Sequence, residues 1–549
     1  MKLRSEGDSS AAKLLSEATA TTPTRSQRIL DRWKSKSNDP IPLTAEEALS
    51  MILFDNLTKQ SYIHIRNMTM NHKTTIFPPY YKVLEAKKNF YPDSFIVSDS
   101  HSEIKLQDLM NRTCASIVNI VCSSEVMDIP GFSNLKLIGK WGFDGSSGYN
   151  SYKQKFAGSD EELLYHTDNS IFVTSFVPLR LLNGDHNNTI LWKNPKPSSS
   201  RFCRPIKIQF RQESTDLTIQ EEMYIQRQID DLIPYPSSIG PISFELHETM
   251  VDGKVCNSLS HDAGSMKCFI CGVTISKMNH IEYCRALPTK EEAYRFGLST
   301  LHSYIRFFEW FLHISYKIDL KKWRVSNATE KDIIKHKKER IQKEFKEQLG
   351  LVVDVPKQGA GNTNDGNTAR RFFENSDISS KILGLDQNLI DRCGAILSVI
   401  NSNYSINVSE FEHFCLETAE RYVEMYGWYY MPVSVHKILI HGSEVIKNFI
   451  TPIGEMSEEA QEANNKNIRY YKEHHTRKVS RKKSNEDLLK RLYLTSDPQL
   501  IYYNDVKPHK HKPLTPMMAR LVDNYTYDEF SDSDEEISLD TSIEQALEL

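Results

Sequence analysis

The spacing of apolar residues predicts three short helices near the start of the chain. Thr44 and Glu47 have the spacing of a capping box, and an apolar stripe follows them. A second helix is predicted through LTKQSYIHIRN and a third through YYKVLEAKKNF, after the break at Pro78 and Pro79. The segment has the size of a helix-turn-helix, and contact with DNA or with another protein would suit it equally.

From about residue 135 the apolar residues alternate as in β-strands. The runs NLKLIGKWGFD, SIFVTSFVPL, TILWKN and RPIKIQF are short and separated by polar, Pro or Gly breaks. A helix is predicted through TIQEEMYIQRQIDDLI, and a further strand through PISFELHETMVDG. Strands, a helix and another strand predict a sheet of the α/β class.

After Cys271 the pattern becomes mostly helical. Thr289 and Glu292 predict the cap of a helix through LHSYIRFFEWFLHISY, and a basic helix, EKDIIKHKKERIQKEFKEQL, follows. The Gly- and Asn-rich run GAGNTNDGN has neither the lysine nor the spacing of a phosphate-binding loop and is interpreted as a surface loop. Another helix, EFEHFCLETAERYVEMY, is predicted to end at Gly427.

Length and composition predict an intracellular protein with several domains. The chain has 549 residues, more than one hydrophobic core usually serves. It has no apolar run long enough for a membrane span and no apolar signal-peptide core near its N-terminus. Nine cysteines at irregular spacing favour thiols or metal ligands over a disulfide framework.

The net charge of −4 conceals an uneven distribution. Residues 1–40 are rich in Ser, Thr, Lys and Arg and are predicted to be a disordered basic arm. An acidic tail closes the chain, and the remainder is net positive, so a nucleic-acid partner stays open. The acidic residues of the tail are Asp528, Glu529, Asp532, Asp534, Glu535, Glu536, Asp540, Glu544 and Glu548.

Two aspartates are predicted to lie where strands end. Asp144 is followed at once by GSSG, and Asp252 precedes Gly253 after the next long strand candidate. An acid before such a break is usually only a turn former. Competing acids are Asp230 and Asp231, on a predicted helix face, and Asp262, in a polar loop.

A third acidic segment, GEMSEEAQEANNKNIRYYKEHHTRK, has the composition of a long helix. Glu459 and Glu462 share one face of it, whereas Glu455 and Glu458 are interpreted as helix-start acids. Three carboxylates could hold two divalent cations about 4 Å apart at a scissile phosphate. Such chemistry needs no covalent protein nucleophile, so no Ser, Cys or Tyr is assigned that role.

Cys268 and Cys271 form a CxxC pair, and His436 and His441 occur much later in the chain. The separation is far longer than in a zinc finger, so one shared zinc and two unrelated pairs are equally open interpretations from spacing alone. Rival ligands are Cys256, Cys284 and His261.

Basic residues follow Glu462 with few interleaved acids. An anionic partner explains them best, and a solvated basic face is the alternative. Lysines and arginines between 321 and 346 form a second basic region in which Glu residues alternate, so a solvated helix and a DNA contact are equally open there. The first set comprises Lys466, Arg469, Lys472, Arg477, Lys478, Arg481, Lys482 and Lys483.

The acidic segments resemble those of one enzyme family. WGFDGSSG followed by YKQ, and HETMVDGKVCN, are similar to segments of the Transib transposases, DNA transposases of the Asp-Asp-Glu type that are related to the RAG recombinase catalytic subunit. The resemblance covers residues 135–490, and GNTARRFF at 366–373 is similar to a segment inside the RAG-type insertion. It implies Asp144, Asp252 and Glu462 as the catalytic, Mg²⁺-binding acids.

The same resemblance implies a zinc site. The RAG subunit has a CxxC between its second and third acids and an HxxxxH shortly before the third, an order that Cys268, Cys271, His436 and His441 share. This zinc would be structural, because four protein ligands leave no position for water.

The implied fold is an α/β RNase H-like catalytic core, a mixed sheet flanked by helices, interrupted by a large, mostly helical zinc-binding insertion and preceded by a helical DNA-binding region. The predicted divisions are a basic arm (1–40), a helical DNA-binding and dimerisation region (41–134), the first part of the core (135–255), the insertion (256–450), the last core helix (451–490) and a C-terminal region with the acidic tail (491–549).

The implied activity is cut-and-paste transposition in the nucleus. A homodimer would bind terminal inverted repeats, nick the DNA, form hairpins on the flanking DNA and join 3′-hydroxyl ends to target DNA. Two Mg²⁺ ions, for which Mn²⁺ can substitute, and a structural Zn²⁺ are the implied cofactors. The alternatives are a domesticated, non-catalytic DNA-binding protein and a nuclease without strand transfer.

Overall fold

The computed structural model describes residues 41–92, 95–123, 132–150, 156, 165–184, 188–260, 264, 266–357, 361–504 and 513–523. The predicted basic arm, His261, Asp262 and the acidic tail lie outside these residues. The chain divides into two compact units, Met1–Tyr91 and Pro92–Leu549.

The first unit contains the three predicted helices, α1 (Ala45–Phe54), α2 (Lys59–Asn71) and α3 (Tyr80–Phe90). The predicted capping box is confirmed: Glu47 N donates to Thr44 Oγ1 at 3.1 Å, and Thr44 N donates to Glu47 Oε2 at 2.7 Å. Apolar side chains from all three helices are buried. Contact of this unit with DNA stays a prediction.

The second unit is built on a curled mixed sheet of eight strands flanked by helices. Seven strands follow the order β1-β2-β6-β4-β3-β8-β7, and β5 pairs with β4. The strands are β1 (Ile96–Val97), β2 (His101–Glu103), β3 (Leu135–Ser147), β4 (Ser170–Asn183), β5 (Thr189–Lys193), β6 (Arg204–Gln209), β7 (Tyr235–Ser237) and β8 (Gly240–Met250).

The pairing makes β3 the central strand of the site described below. It runs antiparallel to β4 and parallel to β8. The five longer strands are those that the alternation predicted. The strands β1, β2 and β7 are two or three residues long, too short for a period of two to be recognised. Because β1 and β2 lie between residues 96 and 103, the region 41–134, which was expected to be helical, also contains two short strands.

Helices occupy most of the rest of the second unit. Those bordering the sheet include Thr215–Asp230, Glu459–His474 and Arg481–Thr495, and most of the described residues between β8 and Glu459 are helical. The helices are α4 (Leu106–Ser123), α5 (Thr215–Asp230), α6 (Gly253–Leu259), α7 (Ile281–Arg285), α8 (Thr300–Lys317), α9 (Ala328–Leu349), α10 (Gly366–Glu374), α11 (Ser376–Leu383), α12 (Gln387–Ile400), α13 (Val408–Tyr426), α14 (Val433–Lys447), α15 (Glu459–His474), α16 (Arg481–Thr495), α17 (Pro498–Tyr502) and α18 (Pro516–Ala519).

The helix α8 is the apolar centre of that helical region, with Phe307, Phe308 and Phe311 fully buried. Its predicted cap at Thr289 and Glu292 is wrong. A 3₁₀ turn over 291–296 ends at Gly297, whose φ of +62° a residue with a side chain rarely adopts. The helix α8 begins only after this break.

The predicted long helix through 454–478 is also wrong in its bounds. The helix α15 covers only its middle, because His475 ends it. Ser480 then caps the separate helix α16, accepting a hydrogen bond from Lys483 N at 3.2 Å. No helix among the described residues is long and apolar enough to cross a bilayer.

One buried carboxyl group in β8 lowers the stability of the fold at high pH. Glu248 is 5% exposed, and neither of its carboxyl oxygens has a hydrogen-bond partner; Arg295 Nη1 lies 3.5 Å away. Burial raises the pKa of Glu248 to about 8, which Arg295 opposes and Glu222 reinforces. The folded protein therefore holds a proton on Glu248 that the unfolded chain releases above its ordinary pKa.

We expect Glu248→Gln to stabilise the protein at pH 8 by roughly 2–4 kcal/mol. Between the ordinary pKa and about 8 only the unfolded chain ionises Glu248, so the stability of the unaltered protein falls as pH rises through this window. Glutamine removes that loss. Thermal unfolding measured at pH 5 and pH 8 tests this expectation.

The control is Glu245→Gln on the same strand. Glu245 pairs with Lys136 at 2.9 Å, and its hydrogen bond with His247, reinforced by Lys136, lowers the pKa of Glu245 to about 2. Its removal should reduce stability at pH 8. Equal effects of the two variants would show that Glu248 is not specifically unfavourable.

Candidate functional site

The sheet register places Asp144, within β3, near Asp252, just after β8, toward the same end of two neighbouring parallel strands. Gly142 of β3 pairs with Met250, the last residue of β8. Asp144 lies two residues beyond Gly142, and Asp252 lies two residues beyond Met250. The two aspartates therefore lie at equivalent positions along neighbouring strands. The prediction that the strand ends at Asp144 is wrong, because β3 stays paired with β4 as far as Ser147.

Gly142 allows these two strands to meet closely. A Cβ atom at this position would lie 2.1 Å from the carbonyl oxygen of Met250. No side chain fits there without moving the backbone of β8. In the sequence, the only indication of this close approach was an isolated glycine within a strand pattern.

Asp252 also has a local structural role. It is the N-cap residue of α6, and its Oδ1 accepts a hydrogen bond from Val255 N at 2.8 Å. A carboxylate at a helix N-terminus is favoured by the exposed amides there. Capping alone would account for an Asp at this position, and it also orients the carboxyl group.

The helix α15 brings Glu462 toward the same edge. Gln461 is buried, and its Nε2 donates to the carbonyl of Val173 at 3.2 Å; Val173 is the residue of β4 that pairs with Asp144. Asn465, three residues beyond Glu462, donates from Nδ2 to Asp144 Oδ2 at 2.7 Å. On either side of Glu462, the helix is therefore hydrogen-bonded to Asp144 or to its pairing partner on β4.

The three acids interact electrostatically. Burial raises the pKa of Asp144 to about 7; the hydrogen bond from Asn465 opposes this, and the charges of Glu462 and Asp252 reinforce it. Burial likewise raises the pKa of Glu462, whose side chain is 42% exposed. Carboxylates that repel one another in a partly buried setting are candidates for binding a cation.

The neighbouring glutamates are held by other partners. Glu459 pairs with Arg370 of α10, within the segment GNTARRFF. Glu455 is buried and pairs with Arg180 at 2.6 Å and with Lys193 at 3.0 Å. Of the two candidates on this helix face, Glu462 is the one without such a strong ion pair.

Glu458 is not an ordinary helix-start acid. It is 4% exposed, and it accepts hydrogen bonds from Ser299 Oγ at 2.6 Å and from Thr300 N at 3.1 Å. It thus caps α8 from a distant part of the chain. Burial would raise the pKa of Glu458, but the hydrogen bonds and charge of its partners, above all His302, lower it.

His302 links Glu458 to Glu462 and was missed by sequence reasoning. Its Nδ1 lies 3.1 Å from Glu458 Oε1, and its Nε2 lies 3.9 Å from Glu462 Oε1. Burial lowers the pKa of His302, but Glu458, with Glu462 and Asp252, raises it overall to about 9. No motif identifies this residue in the sequence.

Glu213 is a fourth carboxylate near this edge. It pairs with Lys254 at 2.6 Å, and its charge also raises the pKa of Asp144. A Cβ atom on Gly145, the residue after Asp144, would lie 2.7 Å from the Glu213 side chain. Glu213 lies in a short polar segment, and no pattern in the sequence pointed to it as a candidate site residue.

The predicted Cys and His residues come together in a buried cluster. One ligand atom from each of Cys268, Cys271, His436 and His441 lies within 4.8 Å of the others. Among the described residues, no other group of Cys, His, Asp and Glu converges in this way, so the three acids are more widely spread than this cluster. The cluster could bind a metal such as zinc.

The local structure suits a metal. Gly272, at φ +72°, donates to the carbonyl of Cys268 at 2.8 Å and closes the turn of the CxxC segment. His436 and His441 both lie on α14, and each has a buried ring nitrogen without a hydrogen-bond partner. Hydrogen bonds from Cys271 and the two histidines lower the pKa of Cys268, although burial opposes them. The lowered pKa favours the thiolate form of Cys268.

The predicted basic surface is only partly available. Lys466 and Lys482 are exposed, and among the described residues neither has a carboxylate within ion-pair distance. Arg469 donates to the carbonyl of Ser147 at 3.0 Å and lies over the Tyr149 ring, 5.2 Å from its centroid. These contacts place Arg469 just beyond the Asp144 end of β3.

The other predicted basic residues are engaged within the fold. Arg477 forms a bidentate pair with Asp487, and Arg481 is buried in a pair with Asp168. Burial lowers the pKa of Lys472 to about 8. Lys478 Nζ donates to the carbonyl of Lys472 and to Thr476 Oγ1, and Lys483 pairs with Glu486 at 2.6 Å.

Comparison with protein-family models and with curated proteins gives no match. The geometry described above and the resemblance of the acidic segments are therefore the grounds for any functional proposal.

We expect the purified protein to retain about one metal ion per chain and Cys268→Ser to lose it. Thiolate and imidazole ligands favour zinc, and a four-ligand site contributes its binding free energy to folding. The variant should also melt at a lower temperature. Metal analysis after dialysis and thermal unfolding are the measurements.

Cys284→Ser is the matched control. Cys284 is buried near the cluster, but its Sγ is hydrogen-bonded to the carbonyl of Lys277 at 3.5 Å and is not part of the cluster. It should keep the metal. Retention of the metal by Cys268→Ser would contradict the assignment.

Proposed function

We propose that this protein is a DNA transposase that cuts and joins DNA by metal-dependent phosphoryl transfer, as its resemblance to the Transib family implies. The observation that carries the proposal is the position of Asp144 and Asp252 at one edge of parallel strands, with Glu462 held above them by α15. Three acids brought together from distant parts of the chain suit this chemistry better than they suit turns.

The three acids would hold two Mg²⁺ ions, with Mn²⁺ able to substitute. Carboxylate oxygens are the ligands these ions prefer. Burial, reinforced by the charges of Glu462 and Asp252, raises the pKa of Asp144, and a bound cation would offset both effects. Bound ions would activate the attacking water or 3′-hydroxyl and stabilise the leaving oxygen. Asn465 and Gln461 would keep the carboxylates in position before substrate binds.

The fold we propose for the site is an RNase H-like core interrupted by a zinc-stapled insertion. The mixed sheet, with Asp144 and Asp252 at equivalent positions on neighbouring parallel strands, supports the core, and the helical region between Asp252 and Glu462 supports the insertion. Zinc at Cys268, Cys271, His436 and His441 would join the two ends of that region.

The substrates we propose are terminal inverted repeats and target DNA, bound in the nucleus by a homodimer that pairs two ends. Lys466 and Lys482 support a DNA surface, because both are exposed: Lys466 lies on α15, which contacts β3 and β8, and Lys482 lies on α16, which packs against α15. Hairpin formation and strand transfer are implied by the resemblance and go with this proposal.

We expect Asp144→Asn, Asp252→Asn and Glu462→Gln each to reduce Mg²⁺-dependent DNA cleavage by roughly a thousandfold, since a bound ion stabilises the transition state by several kcal/mol. Asparagine still caps α6 at position 252, so folding is preserved. The measurement is cleavage of a duplex carrying a transposon end, analysed on a denaturing gel that separates nicks and hairpins.

The control is Glu459→Gln, which removes a carboxylate from the same face of α15 that is already paired with Arg370. Its cleavage rate should stay within about tenfold of the unaltered protein. Cleavage by Glu462→Gln at the normal rate would show that Glu462 is not the third catalytic acid. No cleavage by well-folded unaltered protein would favour the domesticated DNA-binding protein.

A second expectation concerns DNA affinity. Lys466→Ala and Lys482→Ala should each weaken binding uniformly across sequences and reduce the dependence of log Kd on log salt by about one, because each releases one counterion fewer. Fluorescence anisotropy of labelled duplex DNA over a salt series measures both quantities.

Arg477→Ala provides the comparison. Arg477 is as exposed as a surface lysine, but the carboxylate of Asp487 already neutralises it. In the Arg477→Ala variant, the dependence of log Kd on log salt should therefore change little. If Arg477→Ala has the same effect as Lys466→Ala, exposure rather than pairing determines which residues contact DNA.

A further inference from the structure

A cleft of about 800 Å³ lies beside the CxxC segment. Its lining includes none of the three acids and none of the predicted basic residues between 466 and 483. One wall is the turn from Met266 to Ser276, which carries Cys268 and Cys271 within it. The other wall is formed by Trp323, Arg324 and Tyr430. The volume is within the range of roughly 300–1,000 Å³ typical of small-molecule sites.

The second wall presents a preformed aromatic surface. The Trp323 ring lies against those of Tyr429 and Tyr430, with centroid distances of 4.5 and 4.9 Å. Lys317 Nζ donates to the carbonyl of Trp323 at 2.8 Å and holds this segment in place. Little conformational entropy would be lost when a flat ligand stacks here.

The charge of the cleft favours an anion. Arg324 is exposed and lines the cleft. No Asp or Glu is among the described residues that line the cleft. Arg324 belongs to the second basic region of the sequence, whose neighbouring Lys322 is paired with Glu330 at 2.6 Å.

The first wall adds polar groups for recognition. Thr274 and Ser276 are both exposed, and their hydroxyl oxygens lie 3.3 Å apart. Hydroxyl groups can donate to phosphate oxygens and can also accept from base edges. Because a hydrogen bond from Ile275 N to Met266 O at 3.0 Å closes this turn around the cysteines, the wall is built on the metal cluster.

We propose that this cleft binds unpaired nucleotides of single-stranded DNA, an inference that rests on the proposed function. Aromatic side chains stack on any base, and Arg324 would neutralise a phosphate. Bases within a duplex are already stacked and paired, so only an unpaired strand can enter. Opening and cutting of DNA ends produces such strands.

The test is binding of a fluorescent oligothymidylate and of a blunt duplex to the full-length protein, measured by anisotropy. Trp323→Ala and Arg324→Glu should each weaken oligothymidylate binding about tenfold or more and leave duplex binding within about twofold. Arg324 is exposed, so its variant tests the cleft even if loss of Trp323 disturbs the aromatic cluster. Lys331→Glu, an equal charge change on exposed α9, should leave both affinities within about twofold.

Three outcomes would overturn the proposal. Normal oligothymidylate binding by both cleft variants would show that single strands bind elsewhere, and an equal loss in Lys331→Glu would show a general charge effect. Binding of a peptide of residues 528–549 that depends on Arg324, without oligothymidylate binding, would make the occupant an acidic peptide. Failure of the unaltered protein to bind either DNA would instead refute the proposed function.

Discussion

The close approach of β3 and β8 at Gly142 is the constraint on which the carboxylate site depends. A Cβ atom there would lie 2.1 Å from the Met250 carbonyl oxygen, so the two strands can pair at this point only around a glycine. Because Gly142 pairs with Met250, Asp144 and Asp252, each two residues further along, lie at equivalent positions along the two chains. A separation of the strands would move one carboxylate relative to the other, whatever the state of their own side chains.

The helix α15 depends on buried polar contacts rather than on apolar packing alone. Lys140 Nζ donates to the Ser457 carbonyl at 2.6 Å just before the helix, and Gln461 reaches the carbonyl of Val173. Glu458 caps α8 at Thr300. Directional bonds of this kind fix the rotation of a helix, because leaving a buried polar group unpaired is costly. They also couple the sheet to the helical region.

The sequence predicted features that local patterns encode: the five longer strands, the helices α1–α3, α5, α8, α9 and α13, and the CxxC segment. It wrongly ended β3 at Asp144, because the strand continues through the Gly and Ser residues to Ser147. It could not predict β1 and β2, which are too short to show a period, or the start of α8, which depends on Gly297 and on Glu458 far along the chain. It also could not show that Arg481 would be buried against Asp168, since a run of basic residues carries no information about distant partners. His302 had no local signal.

The two predicted metal sites use different donors, and this difference can keep them apart. Zinc binds most ligands more tightly than magnesium does, so selectivity has to come from ligand type and geometry. The cluster of Cys268 and His436 offers thiolate and imidazole in a buried setting, whereas the acids offer only oxygens, with Glu462 partly exposed. In the proposed enzyme, zinc would be held in the helical region, and the exposed carboxylate edge would remain open to a weakly held, exchangeable cation and to DNA.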